Sequence, residues 1–249
     1  MTGDHKPDAA KGVFETLLVV EGSLVELDAH LGRLNASLVS LYGEELPAPA
    51  REAVGERAAG ISLGRLRLTV APGPDGLDWE AVAAEIDPAI QFPGHEQGAE
   101  LRTLLVPGGL GCHKWADRLL PTGDDGALSL LVDQGGEVLE TGRANVFAAT
   151  AGQLTTPAAD GRILPGITRD AVIELARSDG IEVLQRSLTL DQLLAAEEVF
   201  LTNSVRGIEP VRSLDGSPLR AEGDFGQRLG ERLRERWAAD RQPVPAGSA

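Results

Sequence analysis

Between residues 127 and 157 the chain sets four short apolar runs in succession: ALSLLVD (127–133), EVLET (137–141), ANVFAAT (144–150) and QLTTP (153–157). Only turn residues separate them. Runs this short read as strands rather than helices, and their close spacing reads as a meander. Downstream, LPGITRDAVIELARSDG (164–180) reads as a helix, with Pro-Gly before it and Gly180 just past it. IEVLQRSL and EVFLTN follow as strands on either side of a short helix at 191–196. In the last helix Phe225, Leu229, Leu233 and Trp237 form an i+4 stripe, and QPVPAGSA (242–249) reads as a loose tail.

The first part of the chain has another rhythm. VFETLLVV (13–20) reads as a buried strand that turns at Glu21-Gly22-Ser23 into LVEL. Asp28 is the expected N-cap of a helix whose Leu27, Leu31, Leu34, Leu38 and Leu41 make one apolar stripe. A second helix is expected near 51–60, and a half-buried strand at 65–71. Residues 79–87 suit strand or helix, with strand favoured, and LRTLLVP (101–107) is a further strand before the flexible run GGLG (108–111). The expected fold class is α/β (α+β). A smaller α/β domain spans 1–107, a linker 108–113, and a larger strand-rich domain 114–249.

Charge removes several function classes. The 249 residues carry 38 acidic and 23 basic side chains, a net charge of −15 that disfavours nucleic acid and anionic membranes as partners. No run approaches the roughly 18 apolar residues of a membrane span. The start, MTGDHKPDAAKG, has no apolar h-region, so a cytoplasmic protein is expected. One cysteine excludes a disulfide framework and a Cys-rich metal site, and the histidines at 5, 30, 95 and 113 lack metal-ligand spacing. GGLG lacks the third glycine of a dinucleotide loop, and neither a Walker loop nor a G-x-S-x-G elbow occurs.

The basic residues divide into 20 Arg and 3 Lys, and beyond residue 12 the one lysine is Lys114, in GLGCHKWADRLL. An amine can form a Schiff base and carry protons to and from carbon, which a guanidinium cannot. The alternative is a surface lysine or an ion-pair partner. Glu140, in LETGRANVF, is either a solvated strand end or a carboxylate that holds a heterocyclic nitrogen protonated. Ile167 and Thr168 open a helix after Pro165-Gly166, where unpaired amides and a hydroxyl make an anion site or an ordinary helix start. Thr202, Asn203 and Ser204 add small donors at a strand end. Arg33, three residues after His30, projects on the side away from the leucine stripe, where it is either solvated or bound to a ligand. An amine, an acid for a ring nitrogen and several phosphate donors are together what pyridoxal 5′-phosphate needs.

The order of motifs resembles the fold-type IV, or class IV, pyridoxal-phosphate enzymes: branched-chain aminotransferase, D-amino acid aminotransferase and 4-amino-4-deoxychorismate lyase. VFETLLVVEG, LDAHLGRL, HKWADRLL, LETGRANVF, ILPGITRD and EEVFLTNSVRGIEPV carry it, in family order, from residue 13 to about 216. The resemblance implies a small α/β sandwich domain and a larger strand-rich pseudo-barrel domain with the cofactor between them, usually in a homodimer. It implies that Lys114 forms the Schiff base and Glu140 pairs with the pyridine nitrogen. Arg33, the Ile167 and Thr168 amides and the Asn203-Ser204 turn would then bind phosphate.

Within the family, KWADRLL and LTNSVRGI look most like aminodeoxychorismate lyase, including the lyase-like half of fused aminobenzoate synthases. Branched-chain aminotransferases surround a hydrophobic substrate with tyrosines, whereas this chain has only Tyr42. A small anionic dicarboxylate would want cations, and Arg143 and Arg206 lie inside matched motifs as substrate candidates. Family members commonly begin with a strand some 20 residues before the FET strand; here twelve mostly polar residues precede Val13, as in the lyase part of fused synthases. The expected reaction gives p-aminobenzoate and pyruvate. The alternatives are a class IV aminotransferase of D-amino acid or branched-chain type, a secondary-metabolism variant acting on a related aminated chorismate, and a non-catalytic family member.

Overall fold

The structure, a computed structural model, describes residues 7–118, 120 and 126–242. They fall into two compact units. The first comprises Pro7–Ile90, His113–Arg118 and the described residues from Glu235 on. It opens with β1 (Val13–Val20), β2 (Ser23–Val25), α1 (Leu27–Tyr42), α2 (Ala48–Ala58), β3 (Leu63–Gly73) and β4 (Gly76–Glu85). The ambiguous stretch at 79–87 is thus a strand, paired along its length with β3.

β1 lies antiparallel to β3 over all eight of its residues, from Val13 opposite Val70 to Val20 opposite Leu63. Leu27, Leu31, Leu34 and Leu38 of α1 are buried with Leu17, Leu66 and Leu68 in one core. Each fully buried leucine contributes roughly 2 kcal/mol. Asp28 is not the N-cap of α1. Glu26 holds that position with φ 53° and makes no side-chain cap bond, and Asp28 sits in the first turn, paired with Arg51 at 2.7 Å.

The second unit comprises Gln91–Cys112 and the described residues between 119 and Arg234. Its elements are β5 (Ala99–Leu105), β6 (Leu128–Val132), β7 (Val138–Thr141), β8 (Asn145–Thr150), β9 (Gln153–Thr156), α3 (Ile167–Ser178), β10 (Val183–Gln185), α4 (Leu190–Ala195), β11 (Glu198–Asn203), β12 (Gly207–Leu214) and β13 (Ser217–Pro218). α5 (Phe225–Ala239) contributes its residues up to Arg234 to this unit and the rest to the first. A last short strand, β14 (Arg241–Gln242), joins the first unit's sheet, whose order is β14-β2-β1-β3-β4. Gln242, the first residue of the expected tail, therefore pairs with Leu24; residues 243–249 lie outside those described.

The expected meander forms, within a sheet that closes on itself. The second sheet runs β10-β9-β8-β11-β12-β5-β6-β7, and β7 also pairs with β8. The strands from β8 to β7 therefore close on themselves as a small barrel with no free edge among them. β5, which precedes residue 107, runs parallel to both β12 and β6. Phe147 and Phe200 stack in this unit, 5.1 Å apart and nearly parallel.

Candidate active site

The residues singled out from sequence form two groups, one in each unit. In the first unit, residues 113–118 lie beside the start of β1: Phe14 N–H donates to the Lys114 carbonyl at 2.8 Å, and Ala116 N–H to the Gly12 carbonyl at 2.9 Å. The His113 ring packs edge-on against Trp115, with Nδ1 3.0 Å from Ser37 Oγ. This anchors the Lys114 backbone on both sides. The strand pleat turns Glu15 inward with Val13 and Leu17, leaving it 1% exposed.

Glu15 gathers the neighbouring cations. Arg33 donates to it twice, Nε to Oε1 at 2.7 Å and Nη2 to Oε2 at 2.8 Å. His30 Nδ1 lies 2.8 Å and Lys114 Nζ 3.6 Å from Oε2. His30 and Arg33 are one helical turn apart and face β1 together, and both are largely buried, not solvated. Burial pushes the Glu15 carboxyl up, but Lys114, Arg33 and His30 outweigh it and hold it well below the usual carboxylate range. Burial brings the Lys114 amine down to about 8; Glu15 opposes that shift, while Arg33 and Arg118 add to it. Burial also lowers His30, against the pull of Glu15.

In the second unit Glu140 is 2% exposed in β7, and its Oε2 accepts from Asn145 Nδ2 and Leu164 N–H, each at 3.2 Å. It is not a solvated strand end. Asn145 faces Glu140 across the β7–β8 register and also donates to the Leu164 carbonyl at 3.0 Å. Gly166 caps α3 without any side-chain hydrogen bond. A Cβ there would fall 2.0 Å from Asn145 Oδ1, so only glycine lets the helix start this close to β8. Thr168 Oγ1 lies 3.1 Å from Ser204 Oγ, which joins the helix start to the turn after β11.

That turn is organised by Asn203. Its Oδ1 accepts from Val205 N–H at 2.9 Å and Arg206 N–H at 3.1 Å, and its Nδ2 donates to the Arg143 carbonyl at 2.7 Å. The Arg143 and Arg206 guanidiniums converge on Glu209, which is 2% exposed, at 3.0 and 2.9 Å. Two cations thus share one carboxylate. Thr202 Oγ1 and Arg206 Nε are buried with no hydrogen-bond partner.

Glu15 and Glu209 were not among the residues singled out from sequence. Each nevertheless leaves a signal: a lone carboxylate inside an apolar strand, in VFETLLVV and in GIEPV. The donor set suits pyridoxal phosphate. It offers an amine with a depressed pKa, a buried carboxylate, an uncapped helix start with hydroxyls, and an orphaned oxygen on Thr202 in the strand that leads to Ser204.

The profile of the family described as Amino-transferase class IV matches residues 12–98 and 111–214. The D-alanine aminotransferase of Listeria monocytogenes is 31% identical over 241 residues, covering 86% of this chain and 82% of that protein. Two branched-chain aminotransferase relatives match only by segments, and the matches span 40% and 23% of their lengths. Among solved structures, the 4-amino-4-deoxychorismate lyase of Pseudomonas aeruginosa superposes with a TM-score of 0.75 at 27% identity, over 91% of each chain. A hypothetical aminotransferase of Mycobacterium tuberculosis, solved with α-ketoglutarate and PMP bound, gives a TM-score of 0.78 at 25% identity, over 93% of this chain and 90% of that one.

Proposed function

This chain belongs to the class IV aminotransferase family of pyridoxal 5′-phosphate enzymes, and from that premise we propose that it is a lyase converting 4-amino-4-deoxychorismate to p-aminobenzoate and pyruvate. The observation that carries the reading is the Arg143–Glu209–Arg206 cluster beside the Asn203–Ser204 turn. Two guanidiniums against one carboxylate leave a net positive charge suited to a dicarboxylate substrate. The one tyrosine points to the same conclusion: the Tyr42 hydroxyl donates to the Ala9 carbonyl at 2.7 Å, in the first unit's own structure. The likeness to the Pseudomonas lyase supports the reading further.

In this proposal Lys114 would hold the cofactor at its aldehyde carbon and Glu140 would pair with its ring nitrogen. Arg33, the Ile167 and Thr168 amides, Asn203 and Ser204 would hold its phosphate. When bound, the cofactor supplies an electron sink conjugated with the substrate's amino group. Freed when the substrate's amino group takes its place on the cofactor, the Lys114 amine removes the proton from C4 of the substrate ring and returns one to the enolpyruvyl methylene as the C3–O bond breaks and pyruvate leaves. Burial serves this step, because an amine brought down to about 8 is partly unprotonated near neutral pH. Arg143 and Arg206 orient the substrate carboxylates. The enzyme works as a homodimer, as the family resemblance implies.

The rival is an aminotransferase, favoured by the Listeria relative, which matches over most of both chains. The loaded enzyme is incubated separately with 4-amino-4-deoxychorismate, D-alanine and branched-chain amino acids. Release of p-aminobenzoate with one equivalent of pyruvate is the expected result. Stoichiometric conversion of the cofactor to pyridoxamine phosphate by an amino acid, with no p-aminobenzoate formed, establishes the transaminase instead.

A further inference from the structure

The second unit contains a cavity of about 310 Å³ away from the residues assigned above, lined by Phe92, His95, Ile208, Arg220, Gln227 and Arg234, among others. Its floor is apolar: Val199, Ile208 and Val211, side chains of β11 and β12, are buried at 1–3% exposure. One wall is the Phe92 ring, with the Arg234 guanidinium 4.1 Å over its centroid. That ring is held from two other sides. A Cβ on Gly207 would lie 2.3 Å from it, so that glycine makes room for it, while Gly230 packs against it at ordinary contact distance.

Many arginines of this chain meet carboxylates, among them Arg33, Arg162, Arg212 and Arg232. Among the described residues Arg220 and Arg234 form no ion pair, and both line this one cavity together with His95. The carboxylate in the wall does not serve them. Both Glu198 oxygens accept from the first amides of α5, Phe225 N–H and Gly226 N–H, each at 2.9 Å. The helix start is therefore already capped, and the arginines remain the cavity's unmatched charge.

We propose that this cavity is a binding site for a single-ring aromatic carboxylate, its ring lying against Phe92 and Ile208 and its carboxylate held by Arg220 and Arg234. The volume sits at the low end for ligand pockets, which suits one ring and not a nucleotide. An apolar floor beneath two unpaired guanidiniums matches a flat hydrophobic body with one anionic end. The site also reaches a segment that matters elsewhere. Phe92, at φ 45°, donates its N–H to the Arg206 carbonyl at 2.7 Å, and Gln91 Nε2 donates to the Val205 carbonyl at 3.2 Å. A ligand that moves the Phe92 ring would thus act on the turn bearing Asn203, Ser204 and Arg206.

Titration of the cofactor-loaded protein with benzoate and with p-aminobenzoate, followed by calorimetry, tests the site without reference to turnover, so it stands or falls apart from the proposed reaction. Saturable binding is expected, weakened about tenfold or more by Arg220→Ala and by Arg234→Ala, and undiminished by Arg143→Ala. Ile208→Trp, which fills the floor, abolishes it, with circular dichroism confirming the fold; benzylamine, of the same shape and opposite charge, does not bind. No binding of either carboxylate at millimolar concentration overturns the proposal. So does binding that Arg143→Ala removes while the Arg220 and Arg234 variants retain it.

Discussion

Glu15 and Glu140 are both carboxylates at or below 2% exposure, one in each unit, and their hydrogen bonds differ in kind. Glu15 is surrounded by charge: Arg33 grips both its oxygens, with His30 and Lys114 alongside. One oxygen of Glu140 accepts from two neutral donors, Asn145 Nδ2 and Leu164 N–H. A carboxylate among cations is locked in its ionised form and in turn offsets their mutual repulsion. The first arrangement is an electrostatic foundation for the lysine; the second ties β7 to β8 and to the segment before α3 through one carboxylate oxygen.

The widest test of this contrast is Lys114→Arg, which keeps a cation beside Glu15 but removes the amine. Activity should fall by on the order of a thousandfold or more, with the melting temperature little changed and no lysine-bound cofactor absorbance. In the unsubstituted protein, the rate of cofactor uptake should rise with pH through about 8, where the amine loses its proton, and then level off. A limb near the ordinary lysine value in stopped-flow absorbance would remove the argument from burial.

Glu15→Gln should cost about 3–5 kcal/mol of stability, because three cationic side chains lose their shared partner. The sign of its pH dependence follows from its depressed pKa. Glu15 stabilises the fold at pH values above the unfolded carboxylate pKa, about 4.3, and that contribution is lost as pH falls toward the lower folded-state value. Urea unfolding between neutrality and acid pH should show a steeper acid loss in the parent than in the variant. Parallel curves would mean that Glu15 is not ionised against its neighbours.

The smallest effect on the fold is expected from Glu140→Gln, about 1 kcal/mol, since an amide oxygen still accepts from Asn145 and Leu164. Activity should nevertheless drop on the order of a hundredfold, with cofactor retained by absorbance. An unaltered rate would place Glu140 with structural residues and dissolve its difference from Glu15.

Local pattern carried most of the elements. The leucine stripe of α1, the meander from β6 to β9 and the Pro-Gly start of α3 all follow from spacing and turn chemistry within a few residues. What escaped was non-local. β12 and β14 leave no clear local signal, and β5 pairs in parallel with β6 and β12, partners that no local periodicity names. Asp28 is a reasonable cap by composition, but the cap falls two positions earlier, on a left-handed Glu26. His30 and Arg33 do share one face of α1, yet that face is covered by β1 instead of solvent.

By itself the sequence determined the inventory of this protein: a solitary interior lysine, short strands around glycine-bearing turns, and the ordered motifs of a pyridoxal-phosphate family. Those depend on residue type and near-neighbour spacing, which a linear chain displays. Only the tertiary structure decided how the charges are matched. It assigned Arg33 to Glu15 and both Arg143 and Arg206 to Glu209, and among the described residues it left Arg220 and Arg234 together without a carboxylate. Pairing of this kind is a matter of distance across folded strands, where partners far apart in the chain come within 3 Å, and burial then sets how strongly each charge is felt.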